Sequence, residues 1–137
     1  MGKITVKIKL TNQVDLFARD RLGLKRQPRE LEVEGLVDTG ATRLYLRPGV
    51  INALGLEKIG EVTSRTTNGT RTRGVYDPVR LELLGRHGMF EVVDIDENVP
   101  NLLGQIPLEY LDFVVDPKGQ KLIPNPEHGD KLMSEDY

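Results

Sequence analysis

The sequence predicts an all-β chain, a barrel or sandwich of short strands with one or two short helices. Apolar and polar residues alternate in short runs, Gly, Pro and Asn-Gly turn signals separate those runs, and the helical patterns are few and brief. At 137 residues the chain has the length of one domain, which buries roughly two-thirds of its unfolded surface around a single core.

The elements follow in order. From Lys3 to Leu10, Ile4, Val6, Ile8 and Leu10 share one face and Lys3, Thr5, Lys7 and Lys9 the other, as a half-buried strand requires. The alternation is lost from Thr11 to Arg29, a basic stretch that reads as a solvated loop. Glu30 to Val37 alternates again, turns continuously apolar at Leu36-Val37, and breaks at Thr39-Gly40, so the strand delivers Asp38 at its buried end. Leu44 and Leu46 mark a short extended piece, and Pro48 starts a helical turn through Val50, Ile51 and Leu54 that Gly55 stops.

Between Glu61 and Pro78, β-branched residues flank Asn68-Gly69, the signal of a tight hairpin that is here long, polar and exposed. Val79 to Leu84 and Met89 to Ile95 read as strands joined by a turn at Gly85 to Gly88. Asn101 to Gly104 follows Pro100, Pro107 to Leu111 suits a brief helix, and Phe113 to Val115 with Lys121 to Ile123 suits a last hairpin. The expected domain is 1–123, with 124–137 an extended C-terminal tail.

Composition excludes several chemistries. With no cysteine there is no disulfide framework, thiolate metal site or cysteine nucleophile. His87 and His128 stand in no metal-ligand spacing, so neither metal nor cofactor is expected. A formal charge of -2 gives no field that favours nucleic acid or an anionic membrane. The N-terminal alternation is no signal or spanning segment, and a soluble cytoplasmic protein is the expectation.

The segment with chemical content is Leu36-Val37-Asp38-Thr39-Gly40-Ala41-Thr42. A carboxylate placed directly after two apolar strand residues loses water at a cost. The tripeptide alone fits equally a turn in which Asp38 caps Gly40. Its setting adds more. The segment resembles the active-site loop of retroviral-type aspartic peptidases, the retropepsins, and Leu102-Leu103-Gly104 resembles the second signature of that family. The hairpin from Thr66 to Gly74 holds the place of the family's flap, so the likeness runs in order from about Leu31 to Ile123.

The resemblance implies a retropepsin-like closed barrel and a homodimer in which two Asp38 residues meet. Two ionised carboxylates about 3 Å apart repel by roughly 5 kcal/mol at an effective dielectric near 20, so the pair shares one proton and activates a water against a peptide bond. By the same resemblance Thr39 ties the two loops across the dyad and Gly40 gives the tight turn. Ala41, Thr42, Leu103 and Gly104 with Thr67, Asn68 and Gly69 at the flap tip contact an extended peptide or protein substrate. Ala41 offers no hydroxyl to the carboxylate, and activity is expected at mildly acidic to near-neutral pH. Many viral members carry two acidic residues after Ala and Arg after the second glycine; Thr42-Arg43 and Gln105 stand here instead, which leaves specificity open.

Two other readings compete. One is a catalytically silent module of the same fold, used for dimerisation or peptide binding, since fold does not establish turnover. The other is a nucleic-acid-binding barrel using Arg65, Arg71, Arg73 and Arg80, which lacks aromatic stacking residues between Thr63 and Val75.

Overall fold

Alternation places the first strand, β1 (Thr5–Asn12), with Ile8 and Leu10 turned into the core. Residues 3–128 are described by the computed structural model, and 129–137 of the expected tail lie outside them. Immediately after β1 comes a difference from expectation: the presumed loop contains a helix, α1 (Gln13–Leu22). None of its residues is buried, so no apolar period announces it. Its ends announce it instead. The Asn12 side chain accepts from the Asp15 amide, Asp15 lies in the first turn, Arg19 and Arg21 in the last, and Gly23 closes it at φ 69°.

Next are β2 (Glu30–Val37), β3 (Leu44–Leu46) and α2 (Pro48–Leu54), all where the sequence put them. Gly55 ends α2 in the left-handed region, and the Arg29 guanidinium fills the space a side chain there would need. The polar hairpin is β4 (Lys58–Thr66) with the first part of β5 (Gly69–Leu83). Register pairs Thr66 with Gly69, so Thr67 and Asn68 form the turn and only Gly69 of the tip takes positive φ, at 112°. The strand read as starting at Val79 is the second half of β5, one continuous element with a register shift between Tyr76 and Val79. Pro78 sits in that irregularity, where its missing N–H costs no ladder bond.

β6 (Arg86–Asp94) follows a turn at Leu84-Gly85, earlier than the Gly85 to Gly88 turn expected, because Leu83 pairs directly with Arg86. Then come β7 (Leu102–Leu103), α3 (Gln105–Tyr110), β8 (Phe113–Asp116) and β9 (Lys121–Pro124). The main sheet has the order β1-β2-β7-β3-β6-β5-β4, and β1 also pairs with β5. That last pairing closes six strands into a ring and leaves β4 outside it. The closed all-β barrel of the sequence reading is therefore the observed architecture.

Inward residues of every ring strand meet in one cluster, including Ile8, Leu10, Leu44, Leu46, Val79, Leu81, Val92 and Leu103. The β8–β9 hairpin packs against it through Phe113 and Leu122. Pro124 closes β9, and the following turn docks by Asn125 and His128 onto the buried Asp112 carboxylate. Among the described residues no helix is long and apolar enough to cross a membrane.

Asn12 does two tasks, since its amide also donates to Leu54 O at 2.8 Å in a buried position. Asn12→Ala removes the α1 cap and orphans that carbonyl, and is expected to cost about 2–3 kcal/mol in chemical denaturation. Asp15 gives a pH test. Side-chain hydrogen bonds from Arg29 hold its carboxyl below the ordinary value of 3.8, against a partial desolvation that opposes them. A lowered folded-state value adds stability above 3.8 that is lost as pH falls through the lowered value. Asp15→Asn should therefore be less stable than the parent at pH 7, with the gap narrowing once the pH drops below 3.8.

Candidate active site

Apolar Leu36 and Val37 bring the chain to Asp38 by pairing parallel with Leu102 and Leu103 of β7. On its other side β7 pairs antiparallel with β3, Leu103 opposite Leu44 and Leu102 opposite Tyr45. A two-residue strand is thus threaded between the strand that leads into the 38–43 loop and the strand that leaves it. The loop is held by backbone bonds to this wedge: Asp38 N donates to Leu103 O at 3.0 Å, Gly104 N to Arg43 O at 2.9 Å, Gln105 N to Ala41 O at 2.8 Å, and Ile106 N to Thr42 O at 2.9 Å. Two of these donors belong to the first turn of α3, which has no side-chain cap. The loop carbonyls satisfy the amides a helix start leaves unpaired.

The Asp38 carboxylate is set by its own turn. Oδ1 accepts from Gly40 N at 2.9 Å, and Ala41 N donates to Asp38 O at 3.0 Å. The turn and the chemical readings of Asp38 therefore hold together: one carboxylate oxygen is anchored locally. Asp38 is half-buried rather than at the buried strand end expected, and Thr39 and Gly40 are exposed, because the outer face of the loop meets solvent in the single chain. Among the described residues the Thr39 hydroxyl makes no local turn bond. Ala41 is half-buried and Thr42 exposed beside it.

Leu103 and Gly104 were expected to touch substrate, and their burial gives them a different task. Leu103 is 0% exposed and belongs to the core; its carbonyl is what the site uses. Gly104 has an ordinary φ of -89°, yet a Cβ there would lie 2.5 Å from Arg43 O and 2.7 Å from Arg43 N. Space, and not conformation, requires the glycine. Both residues hold the loop from beneath. Thr67, Asn68 and Gly69 are apart from this group in the chain, exposed at the tip of the β4–β5 hairpin.

Sequence reasoning missed Asn101. It is buried, its Oδ1 accepts from Arg47 N at 2.9 Å, its Nδ2 donates to Glu34 O at 3.1 Å, and its carbonyl accepts from Leu36 N at 2.8 Å. It joins β2, at Glu34 and Leu36, to Arg47, the residue that links β3 to α2. A polar residue beside Pro100 reads as a turn, and only the fold shows its partners. The base of the β4–β5 hairpin was also read too simply. Asp94 Oδ2 accepts from Gly74 N and the Tyr76 hydroxyl, Arg73 lies between Asp94 and Asp96, and Arg71 pairs with Asp96. Burial first, and then the Asp94 charge, raise the Tyr76 hydroxyl above its ordinary range, so it stays a donor. With Arg80 paired to Glu82, three of the four arginines of the nucleic-acid reading already face carboxylates of their own chain.

The model of the aspartyl protease family matches residues 20–105, a span that contains the 38–43 loop, the hairpin, β7 and Gly104. The chain belongs to the aspartyl protease family. This is the class of peptidase that Asp38-Thr39-Gly40 and Leu102-Leu103-Gly104 indicated in the sequence. The solved structure of EIAV protease complexed with the inhibitor HBY-793 is similar at 22% identity and a TM-score of 0.49, over 57% of this chain and 75% of that one. No curated protein matches the sequence.

The fit of Gly104 against backbone atoms leaves no flexible neighbour to yield. Gly104→Ala is expected to destabilise the chain by about 3 kcal/mol or more, read as a lower denaturation midpoint with an unchanged slope. An Ala at Gly60, where nothing lies within 4 Å, is the control that should shift it little.

Proposed function

We propose that this aspartyl protease is an endopeptidase of the retroviral type that acts as a homodimer, each chain supplying Asp38. The observation that carries the reading is the state of the loop: Asp38 is fixed by Leu103 O on one side and Gly40 N on the other, while Thr39 and Gly40 stand open to solvent. Asp-Thr-Gly occurs once in the chain, so a carboxylate pair needs a second copy. The exposed loop face is where that copy fits, with Thr39 bridging the two loops.

Between two Asp38 carboxylates a single proton is shared, because both cannot ionise at hydrogen-bonding distance. The ionised member takes a proton from a bound water as that water attacks the peptide carbonyl, and the protonated member donates to the carbonyl oxygen. No covalent intermediate forms and no metal takes part. Substrate lies extended against Ala41 and Thr42, as an added strand. The β4–β5 hairpin closes over it as a flap, with Thr67, Asn68 and Gly69 at the tip and the Arg71, Arg73, Asp94 and Asp96 cluster as its fixed base. The unit proposed for this activity is 1–123. A cytoplasmic setting suits a chain without cysteine.

Cleavage of a random peptide library tests the reading. The dimer should cut peptides between about pH 4 and 7, Asp38→Asn should lower the rate at least about 1,000-fold while still sedimenting as a dimer, and dilution below the dimer dissociation constant should abolish activity. A proven dimer that cuts nothing across pH 3 to 8 would instead be a peptide-binding or dimerisation module. An optimum in the range of the pepsin dyad, below about pH 3, would contradict the role given to Ala41.

A further inference from the structure

The chain has six asparagines, and the residue after each decides what chemistry its side-chain amide can enter. Asn12, Asn52, Asn98 and Asn101 precede Gln13, Ala53, Val99 and Leu102, whose side chains crowd the following amide nitrogen. Asn125 precedes Pro126, which has no N–H to react. Asn12 and Asn101 are also buried with their side-chain amides bonded, and Asn125 donates to Asp112. Asn68 alone is followed by glycine, and it is exposed at the tip of the β4–β5 hairpin.

The geometry of the tip leaves the Gly69 backbone open to attack and to movement. A Cβ built at Gly69 would meet nothing within 4 Å, so water and hydroxide reach this stretch of backbone. Asn-Gly in a primed turn would hold both residues at positive φ, whereas only Gly69 does so here, at 112°. The pair therefore straddles the end of the turn, with Asn68 in the loop and Gly69 beginning β5. Glycine, without a side chain, gives the backbone the range that ring closure needs. Arg65, paired in register with Thr70 one step below the tip, adds positive potential that favours loss of an amide proton. No acidic residue lies between Thr63 and Val75 to oppose it.

We propose that Asn68 is a self-modification site, at which Asn68-Gly69 converts without an enzyme to a mixture of isoaspartate and aspartate at position 68. The Gly69 amide gives its proton to hydroxide, and its nitrogen attacks Asn68 Cγ. The new N–Cγ bond forms as the Cγ–Nδ2 bond breaks, ammonia leaves, and a five-membered succinimide remains. Water then opens the ring. Addition at Asn68 Cγ restores the main chain with an aspartate, and addition at the Asn68 backbone carbonyl leaves the chain running through Cγ as isoaspartate. Water is the sole co-reactant. Both residues take part in interactions of the folded chain, which set how fast the ring closes and not where.

Either product places a negative charge in a segment that has none, and isoaspartate lengthens the main chain by one carbon. The pairing of Thr66 with Gly69 that closes the hairpin then no longer fits a two-residue turn. The tip thus changes as the molecule ages while the 38–43 loop does not. This holds or fails independently of the peptidase reading.

Incubation of the purified protein at mildly alkaline pH, sampled over time, tests the proposal. Trypsin cuts after Arg65 and Arg71 and releases residues 66–71 as one peptide. Its mass should rise by exchange of NH2 for OH, with one ammonia released per conversion, and isoaspartyl methyltransferase should label it. The rate should increase with hydroxide concentration. Peptides with Asn52 and Asn98, which are also exposed, should convert at least about tenfold more slowly, and Gly69→Ala should slow position 68 by a similar factor. Asn68→Gln should leave residues 66–71 unchanged. In aged wild type, hydrogen exchange at 66–70 should be faster than in fresh protein and unchanged in β1. Absence of conversion in the folded protein would overturn the proposal, and a synthetic peptide of residues 66–71 that converts under the same conditions would show the folded tip to be the cause. Conversion as fast in Gly69→Ala, or exchange at 66–70 that does not change with age, would contradict it too.

Discussion

Threading of β7 between β2 and β3 is the constraint on which the site depends. Two residues, Leu102 and Leu103, pair on both sides at once, and that pairing fixes where β2 stops and where β3 begins. The 38–43 loop has to span the gap between them, and its carbonyls must meet the amides of Gly104, Gln105 and Ile106. Backbone satisfaction, the general demand on buried polar groups, thereby becomes placement of a carboxylate. The side chain at position 104 has to be absent because two backbones pass within contact of each other there. Asn101 adds the outer tie, bonding Glu34 and Arg47 with one amide.

The rest of the fold supports this junction from a distance. Pairing of β1 with β5 closes the ring, so a sheet that would otherwise expose two edges presents only β4. β4 and the first part of β5 then extend beyond the barrel as a hairpin whose ladder is regular from Gly60 to its tip and whose base is held by carboxylates at the end of β6. A stiff base with an exposed tip suits a segment that moves as one piece. The loop side of the site is buried on its inner face and open on its outer face, which is what the proposed homodimer requires of each chain.

What could be read from the sequence followed from burial. Strands with one face in the core, such as β1 with Ile8 and Leu10 and β6 with Phe90 and Val92, carry a period of two and were legible. So were α2, bounded by Pro48 and Gly55, and the 38–43 loop with its partner at Leu102-Leu103-Gly104. α1 was not, because a helix that buries none of its residues has no apolar period, and its evidence lies in Asn12, Asp15 and Gly23. The hairpin tip lies at the expected Thr67, Asn68 and Gly69, but its two turn residues are Thr67-Asn68 and not the Asn68-Gly69 pair that signalled them, because cross-strand register decides which residues occupy a turn. Asn101 and the Asp94 cluster depend on partners 54, 67 and about 20 residues away, which no local pattern carries. Leu103 and Gly104 were found, but their burial assigns them to holding the loop.

The central claim is that Asp38 works opposite its own copy. A crystal structure of the protein grown from a solution dimer tests this most directly. The account predicts a two-fold axis through the Asp38 loops, with the nearest oxygens of the two Asp38 carboxylates about 2.5–3.2 Å apart and a water or ligand atom bound by both. A dimer joined through another face, with the two carboxylates separated in solvent, would contradict it.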